Sequence, residues 1–421
     1  MTIHAMIEFD IRADDAALED AIRELIRAGR RDGSFSRIPL GDHTIVSGAF
    51  DEDRLEDLAG VERVVRIYDD PELTPFAPNF VNTVVDEAHG DIFSIASALM
   101  SPLWTHGHRG EGVRIGICDT GIDHKEKKLA LEPTRGWTPS AVFSIGEDVS
   151  LVPHGTMVAH DALAMAPLSE VLDIGLLKMP QGTLAGVADW RLSVAMDAYR
   201  AVIDGFVMDR REETYGLVLC NSWGMRDPEV RWNIGHYADD PTHPFTRLVV
   251  EAIDHGIIVV FAAGNCGSNG GKPYSPRGFS GPGNSIWGAN GHPRVITVGA
   301  ADWNRNWMGY SSEGPSSLAP NMIKPDVCGI SQFSGLIDIV GKPYFSYPDA
   351  GTSAAAPIVA GGLAVLKGKY PKMTQDVAAA VLRATADHPA SVNGAPAADN
   401  QYGYGIVNFQ KADQLLHQIY P

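Results

Sequence analysis

The sequence predicts an α/β protein whose mostly parallel central sheet is covered by helices on both faces, preceded by a small α+β domain. Three observations carry this expectation. Ile257–Ala263 is apolar at every position, as a strand buried on both faces must be. Segments of helical period alternate with such strands from about residue 91 to the end. The first 70 residues alternate shorter strands and helices, and then give way to an aperiodic stretch rich in Pro, Asp and Asn.

Thr2 to Ile11 alternates as a strand, and Ala16 to Ala28 carries Leu18, Ile22, Leu25 and Ile26 at helical spacing. Thr44 to Phe50 reads as a second strand, Asp53 to Ala59 as a short helix and Val61 to Tyr68 as a third strand. That β-α-β-α-β order suggests a small sheet with helices on one face. The expected organisation is a domain over residues 1–70, a linker over 71–90 and a larger domain over 91–421. In the larger domain a helix over Asp91–Thr105 precedes the strand Val113–Cys118. Val171–Leu177, Leu217–Cys220, Ile257–Ala263 and Val295–Ala300 read as further strands, with a helix over Leu192–Asp204 between the first two. Phe245, Leu248, Val249, Ala252 and Ile253 line one face of a helix that Gly256 stops. Ile358 to Leu366 is Ala-rich and apolar, a buried helix. Ligands of such sheets bind at the carboxyl ends of the strands.

Composition narrows the function. A net charge of −18, from 34 basic and 52 acidic residues, argues against nucleic acid or an anionic membrane as the main partner. No apolar run is long enough to span a bilayer, and the N-terminus lacks the features of an export signal. Cys118, Cys220, Cys266 and Cys328 are too few and too dispersed for a disulfide framework or a zinc knuckle. Buried free thiols and a cytoplasmic setting are the expectation.

Four residues stand where chemistry is done in such a fold. Asp119 follows the strand ending at Cys118 and opens Asp119-Thr120-Gly121-Ile122-Asp123. His154 opens His154-Gly155-Thr156 ahead of a buried helix, and Asn265 ends the strand that runs into Ala262-Ala263-Gly264. Ser353 lies in Gly351-Thr352-Ser353-Ala354-Ala355-Ala356-Pro357, on the first turn of the Ala-rich helix, where backbone N–H groups lack intrahelical partners. Pro357 is read as close enough to the helix start that its missing N–H costs nothing. Each residue alone has an ordinary structural role as a cap, turn or core residue. Together they supply a hydroxyl, a base to take its proton, a carboxylate to fix the base's tautomer, and an amide donor for a developing oxyanion.

These segments, in this order, resemble the signatures of the subtilisin family of serine proteases, the subtilases. Supporting similarities extend from about Ala98 to Leu416 and include Asn221-Ser222-Trp223-Gly224, Lys324-Pro325-Asp326 and Tyr404-Gly405-Ile406-Val407-Asn408. The resemblance implies a three-layer subtilisin-like fold and cleavage of polypeptides through an acyl-enzyme. Ser353 would be the nucleophile, His154 the general base and then acid, and Asp119 the orienting carboxylate. The Asn265 amide and the Ser353 N–H would form the oxyanion hole, while Ser222, Trp223, Gly224, Ala262, Ala263 and Gly264 would pair with the substrate backbone and wall its main pocket.

By element order, residues 1–70 resemble the family's ferredoxin-like propeptide, which implies an intramolecular inhibitor of a zymogen. No cofactor is needed for the chemistry. Met157 and His160 depart from the residues usual in relatives, and the short stretch from His154 to Ala166-Pro167 leaves no room for a calcium-binding loop found in some of them. The resemblance leaves a structural calcium ion open without assigning its ligands, and no catalytic metal is expected. A subtilisin-like peptide ligase or macrocyclase, and an inactive peptide-binding scaffold, are the alternatives. A cytoplasmic protease of this kind would suit a dedicated regulatory protein.

Overall fold

A computed structural model gives the fold, describing residues 2–12, 16–28, 36–75, 90–124, 135–139, 143–147, 153–177, 190–209, 216–225, 234–268, 281–283, 285–335, 349–390 and 397–421. The N-terminal elements are β1 (Thr2–Phe9), α1 (Ala16–Ala28), β2 (Ser36–Leu40), β3 (His43–Asp51), α2 (Leu55–Ala59) and β4 (Val64–Asp69). The strands form an antiparallel sheet in the order β2-β3-β1-β4. β2 was not anticipated. Its burial alternates weakly and it holds Pro39, which an edge strand tolerates because one side of it needs no ladder hydrogen bonds. Ile3, Ala5, Ile7 and Phe9 of β1 pack with Leu18, Ile22 and Leu25 of α1, whereas Ile26 is 52% exposed. The opposite face is also covered. Met6, Ile38, Leu40 and Ile45 join a core shared with the larger domain, so β1 reads as more apolar than a one-sided strand would.

The next strand, β5 (Leu73–Pro75), lies in the stretch expected to be irregular. The rest of the expected linker, 76–89, falls outside the described residues.

The larger domain continues with α3 (Ile92–Thr105), β6 (Val113–Cys118), β7 (Gly136–Trp137), α4 (His154–Met165), β8 (Glu170–Ile174), α5 (Leu192–Asp209), β9 (Gly216–Asn221) and β10 (Trp223–Met225). It ends with α6 (Pro244–Asp254), β11 (Ile258–Ala262), β12 (Ile296–Ala301), β13 (Val327–Ile330), α7 (Thr352–Lys369), α8 (Gln375–Thr385) and α9 (Phe409–Ile419). A sheet of 7 strands in the order β13-β12-β11-β9-β6-β8-β7 is parallel throughout. One face packs with α3, α4, α7, α8 and α9, the other with α5 and α6, which makes the three layers expected.

α7 is apolar on every side because it is buried on every side, against β9, β11, β12, β13 and α4. Its contact with α4 is close. A Cβ at Gly361 would overlap the Ala162 carbonyl, so the two backbones approach only because residue 361 has no side chain.

Charge is buried at the amino ends of β12 and β13. The Lys324 ammonium is fully enclosed and donates to the Val295 carbonyl at 2.7 Å, Thr297 Oγ1 at 2.9 Å and Asp326 Oδ2 at 2.7 Å. Arg383 holds the other Asp326 oxygen. Burial lowers the Lys324 pKa, against the pull of Asp326. Lys324→Ala leaves Asp326 half-paired in a dry site and is expected to cost about 3–5 kcal/mol. Urea unfolding followed by circular dichroism measures this, and an unchanged midpoint would refute the account.

Candidate active site

The carboxyl ends of β6, β9 and β11 lie side by side because the strands are parallel neighbours, with Cys118 paired to Asn221 and Phe261 also paired to Asn221. The residues that follow each strand therefore converge. Asp119 comes next after β6, Ser222 after β9, and Asn265 shortly after β11.

Asp119 is fully buried. Its Oδ1 accepts from the Thr120 N–H at 2.7 Å and lies 2.8 Å from His154 Nδ1. The approach of His154 depends on a glycine. A Cβ at Gly155 would overlap the Gly121 carbonyl and come within 3.1 Å of Asp119 Cβ. The two motifs also lock together, since Thr120 Oγ1 accepts from Gly155 N at 2.9 Å and Thr156 Oγ1 accepts from Asp123 N at 2.9 Å. With Nδ1–H donating to the carboxylate, His154 Nε2 carries the lone pair. Among the described residues Nε2 has no hydrogen-bond partner, although the ring is almost wholly buried.

Ser353 is the second residue of α7 and is fully buried. Gly351, which caps the helix, has φ +80°, a conformation that disfavours a side chain. The hydroxyl rests 3.4 Å from the Ser222 carbonyl, so the hydrogen bond to His154 is not made in this state. Such bonds are often loose in the free enzyme and tighten on substrate.

Pro357 needs a corrected account. It stands in the second turn of α7, where its missing N–H leaves the Ser353 carbonyl without its helical donor. Ser222 Oγ supplies the replacement at 3.2 Å. The proline thus costs α7 one hydrogen bond and ties the residue after β9 to Ser353.

Asn265 faces the same helix start. Its Oδ1 accepts from Thr352 N at 2.9 Å and Thr352 Oγ1 at 3.0 Å, which fixes the amide and leaves its NH₂ as the donating end. Thr352 Oγ1 also accepts from Gly264 N at 3.1 Å. Thr352 therefore organises the site, a role its sequence position did not reveal. So does Asn290, whose Nδ2 donates to the carbonyls of Trp223 at 2.8 Å and Ala262 at 3.0 Å. An Asn in a Gly-Ala-Asn-Gly run carries no signal beyond a turn.

The other expected substrate-binding residues divide into two sets. The Trp223 side chain is core, packed against Phe245 and Phe261, and only the backbone of β10 is available for pairing. Ala262 and Ala263 are bound within the sheet, with Ala263 N donating to the Val298 carbonyl at 2.8 Å. β10 is already paired with β5, antiparallel, with Pro75 opposite Trp223, Thr74 opposite Gly224 and Leu73 opposite Met225. Running that way, β5 heads toward Ser222 and hence toward Ser353.

All four cysteines are free and buried. Burial holds the Cys266 thiol at about 12 and pushes Cys118 up as well, so neither neighbour of the site is a nucleophile near neutral pH.

A model of the subtilase family matches residues 110–405. Subtilisin DY of Bacillus licheniformis is 27% identical over 315 residues, spanning 73% of this chain and 93% of that protein. Serine protease AprX of Bacillus subtilis is 31% identical over 337 residues, spanning 72% of this chain and 66% of that protein. The crystal structure of fervidolysin from Fervidobacterium pennivorans, a keratinolytic enzyme related to subtilisin, superposes with a TM-score of 0.65 at 18% identity. That match covers 98% of this chain, which spans 61% of fervidolysin's length.

Proposed function

From the premise that the chain belongs to the subtilase family and is a subtilisin-like serine endopeptidase, we propose that Ser353 is its nucleophile, His154 its general base and Asp119 the carboxylate that orients the imidazole. The observation that carries this is the buried Asp119–His154 contact at 2.8 Å, with Nε2 left open on α4, the helix that packs against α7.

As the Ser353 hydroxyl bonds to the carbonyl carbon of the scissile peptide, its proton passes to His154 Nε2. Asp119 stabilises the imidazolium without taking the proton. The Asn265 amide and the Ser353 N–H hold the resulting oxyanion. The leaving amine takes the proton back from His154 as the C–N bond breaks. Water, deprotonated by the same nitrogen, then releases the acyl group.

The substrate would add as a strand to the β10 edge, in the place β5 occupies. On this reading β5 and the sheet before it act as an intramolecular inhibitor. A fluorophosphonate probe and an unbiased peptide library test the proposal. Labelling and cleavage are expected from the wild-type chain freed of its N-terminal domain and absent from Ser353→Ala, while cleavage by both proteins would overturn it.

Asn265→Ala is expected to lower kcat by about 10²–10³ with little change in KM, because its amide acts on charge that exists only in the transition state. Steady-state kinetics on one peptide would show it. A rise in KM alone would place Asn265 in ground-state binding instead.

A further inference from the structure

On α4, two turns beyond His154, lie two polar residues that the catalytic chemistry does not use. His160 and Asp161 are both buried, and with Asp349 they bring one imidazole nitrogen and two carboxylate oxygens within 4.8 Å of one another. The Asp161 side chain is fully enclosed, and apart from its approach to the Asp349 carboxylate neither of its oxygens has a hydrogen-bond partner among the described residues. Its neighbour Asp349 brings a second carboxylate, which donates only when protonated. No lysine or arginine among the described residues pairs with Asp161. Burial raises its pKa well above the usual carboxylate range.

The backbone is shaped around these oxygens. A Cβ at Gly335 would overlap the Asp349 carboxylate and reach within 3.3 Å of Asp161 Oδ1. On another side the Phe93 ring meets the His160 ring edge-on at 5.7 Å.

We propose that His160, Asp161 and Asp349 form a binding site for one divalent transition-metal cation of the zinc class. A mixed nitrogen and carboxylate set suits zinc, whereas calcium and magnesium favour oxygen ligands. His160 Nδ1 and Asp161 Oδ1 are already 3.5 Å apart. Ligands at about 2.0–2.1 Å from a tetrahedral zinc stand roughly 3.4 Å from one another. The cation would join two segments of the catalytic apparatus, since Asp161 shares a helix with His154 and Asp349 lies four residues before Ser353. Its role is to hold these segments in place, and it stands whether or not the catalytic assignment does.

The test uses the full chain carrying Ser353→Ala, stripped with a chelator, against the same chain with Asp161→Asn or Asp349→Asn added. Zinc content after desalting is measured by mass spectrometry, affinity by chelator competition, and the visible spectrum with Co²⁺ reports the ligand geometry. One equivalent of zinc, a tetrahedral Co²⁺ spectrum and a higher melting temperature with metal are expected for the parent. Each Asn variant should bind about 100-fold more weakly or worse. Asp161→Asn keeps the side chain's shape and takes away a buried ionisable group, so without metal it should melt no lower than the parent. A parent that retains no zinc and melts alike with and without it would overturn the proposal, as would Asn variants that bind as tightly as the parent.

Discussion

Ser353→Ala and His154→Ala are each expected to lower kcat by about 10⁶, and the double variant by no more than either single one. The magnitude is scaled from subtilisin, where the three residues act as one unit. The physical reason is that a hydroxyl without its base is a poor nucleophile, and a base without the hydroxyl has no proton to take. Asp119→Ala should cost less, on the order of 10⁴, because an imidazole without its carboxylate can still accept the hydroxyl proton but loses its fixed tautomer. Activity above water should persist in all of them, supplied by Asn265 and by substrate binding. Kinetics on purified variants with a single peptide decide the matter. Losses that add in the double variant would mean that His154 and Ser353 act independently, and the triad proposal would fall.

The second large effect concerns the N-terminal domain. Its last strand and the residues after it are held to the larger domain by buried polar contacts. Asp69 Oδ1 accepts from Tyr237 N at 2.7 Å, and Asp70 accepts from Ser193 N at 2.8 Å and Ser193 Oγ at 2.7 Å, at the start of α5. Leu73 N donates to the Trp190 carbonyl at 2.7 Å. Glu8 of β1 is almost wholly buried and accepts from Arg247 at 2.6 Å. A domain that binds in trans at about micromolar strength, tethered at an effective concentration of about millimolar, occupies its site roughly 10³ times more often than it leaves it.

The intact chain is therefore expected to be about 10³-fold less active than the same protein with residues 1–75 removed and then washed away. Adding the isolated domain back should restore inhibition. Wild-type protein should also cut itself a few residues after Pro75, while Ser353→Ala stays intact, as mass spectrometry of the N-termini would show. Equal activity with and without the domain would refute the inhibitor reading.

Much of this could be read in the sequence. Parallel strands covered on both faces must be apolar throughout, so β6, β9, β11 and β12 announced themselves with boundaries off by a residue or so. Asp119, His154 and Ser353 stood out because each belongs to a short glycine-containing segment at a strand end or a helix start. β2 and β5 were not found. An edge strand needs only alternate residues inward, and a strand of three residues exists only because β10 offers it hydrogen bonds.

The sequence by itself determined the chemical groups, the order of layers and the segments that present the groups, because these follow from local burial and turn geometry. Tertiary structure alone decided which groups answer one another. Ser222 takes over the carbonyl that Pro357 leaves without a donor, β5 lies on the edge where a substrate would add, and Asp161 meets Asp349. Those pairings join residues more than 130 positions apart, and hydrogen-bond satisfaction and charge neutrality act on whatever the fold brings together, whatever its separation along the chain.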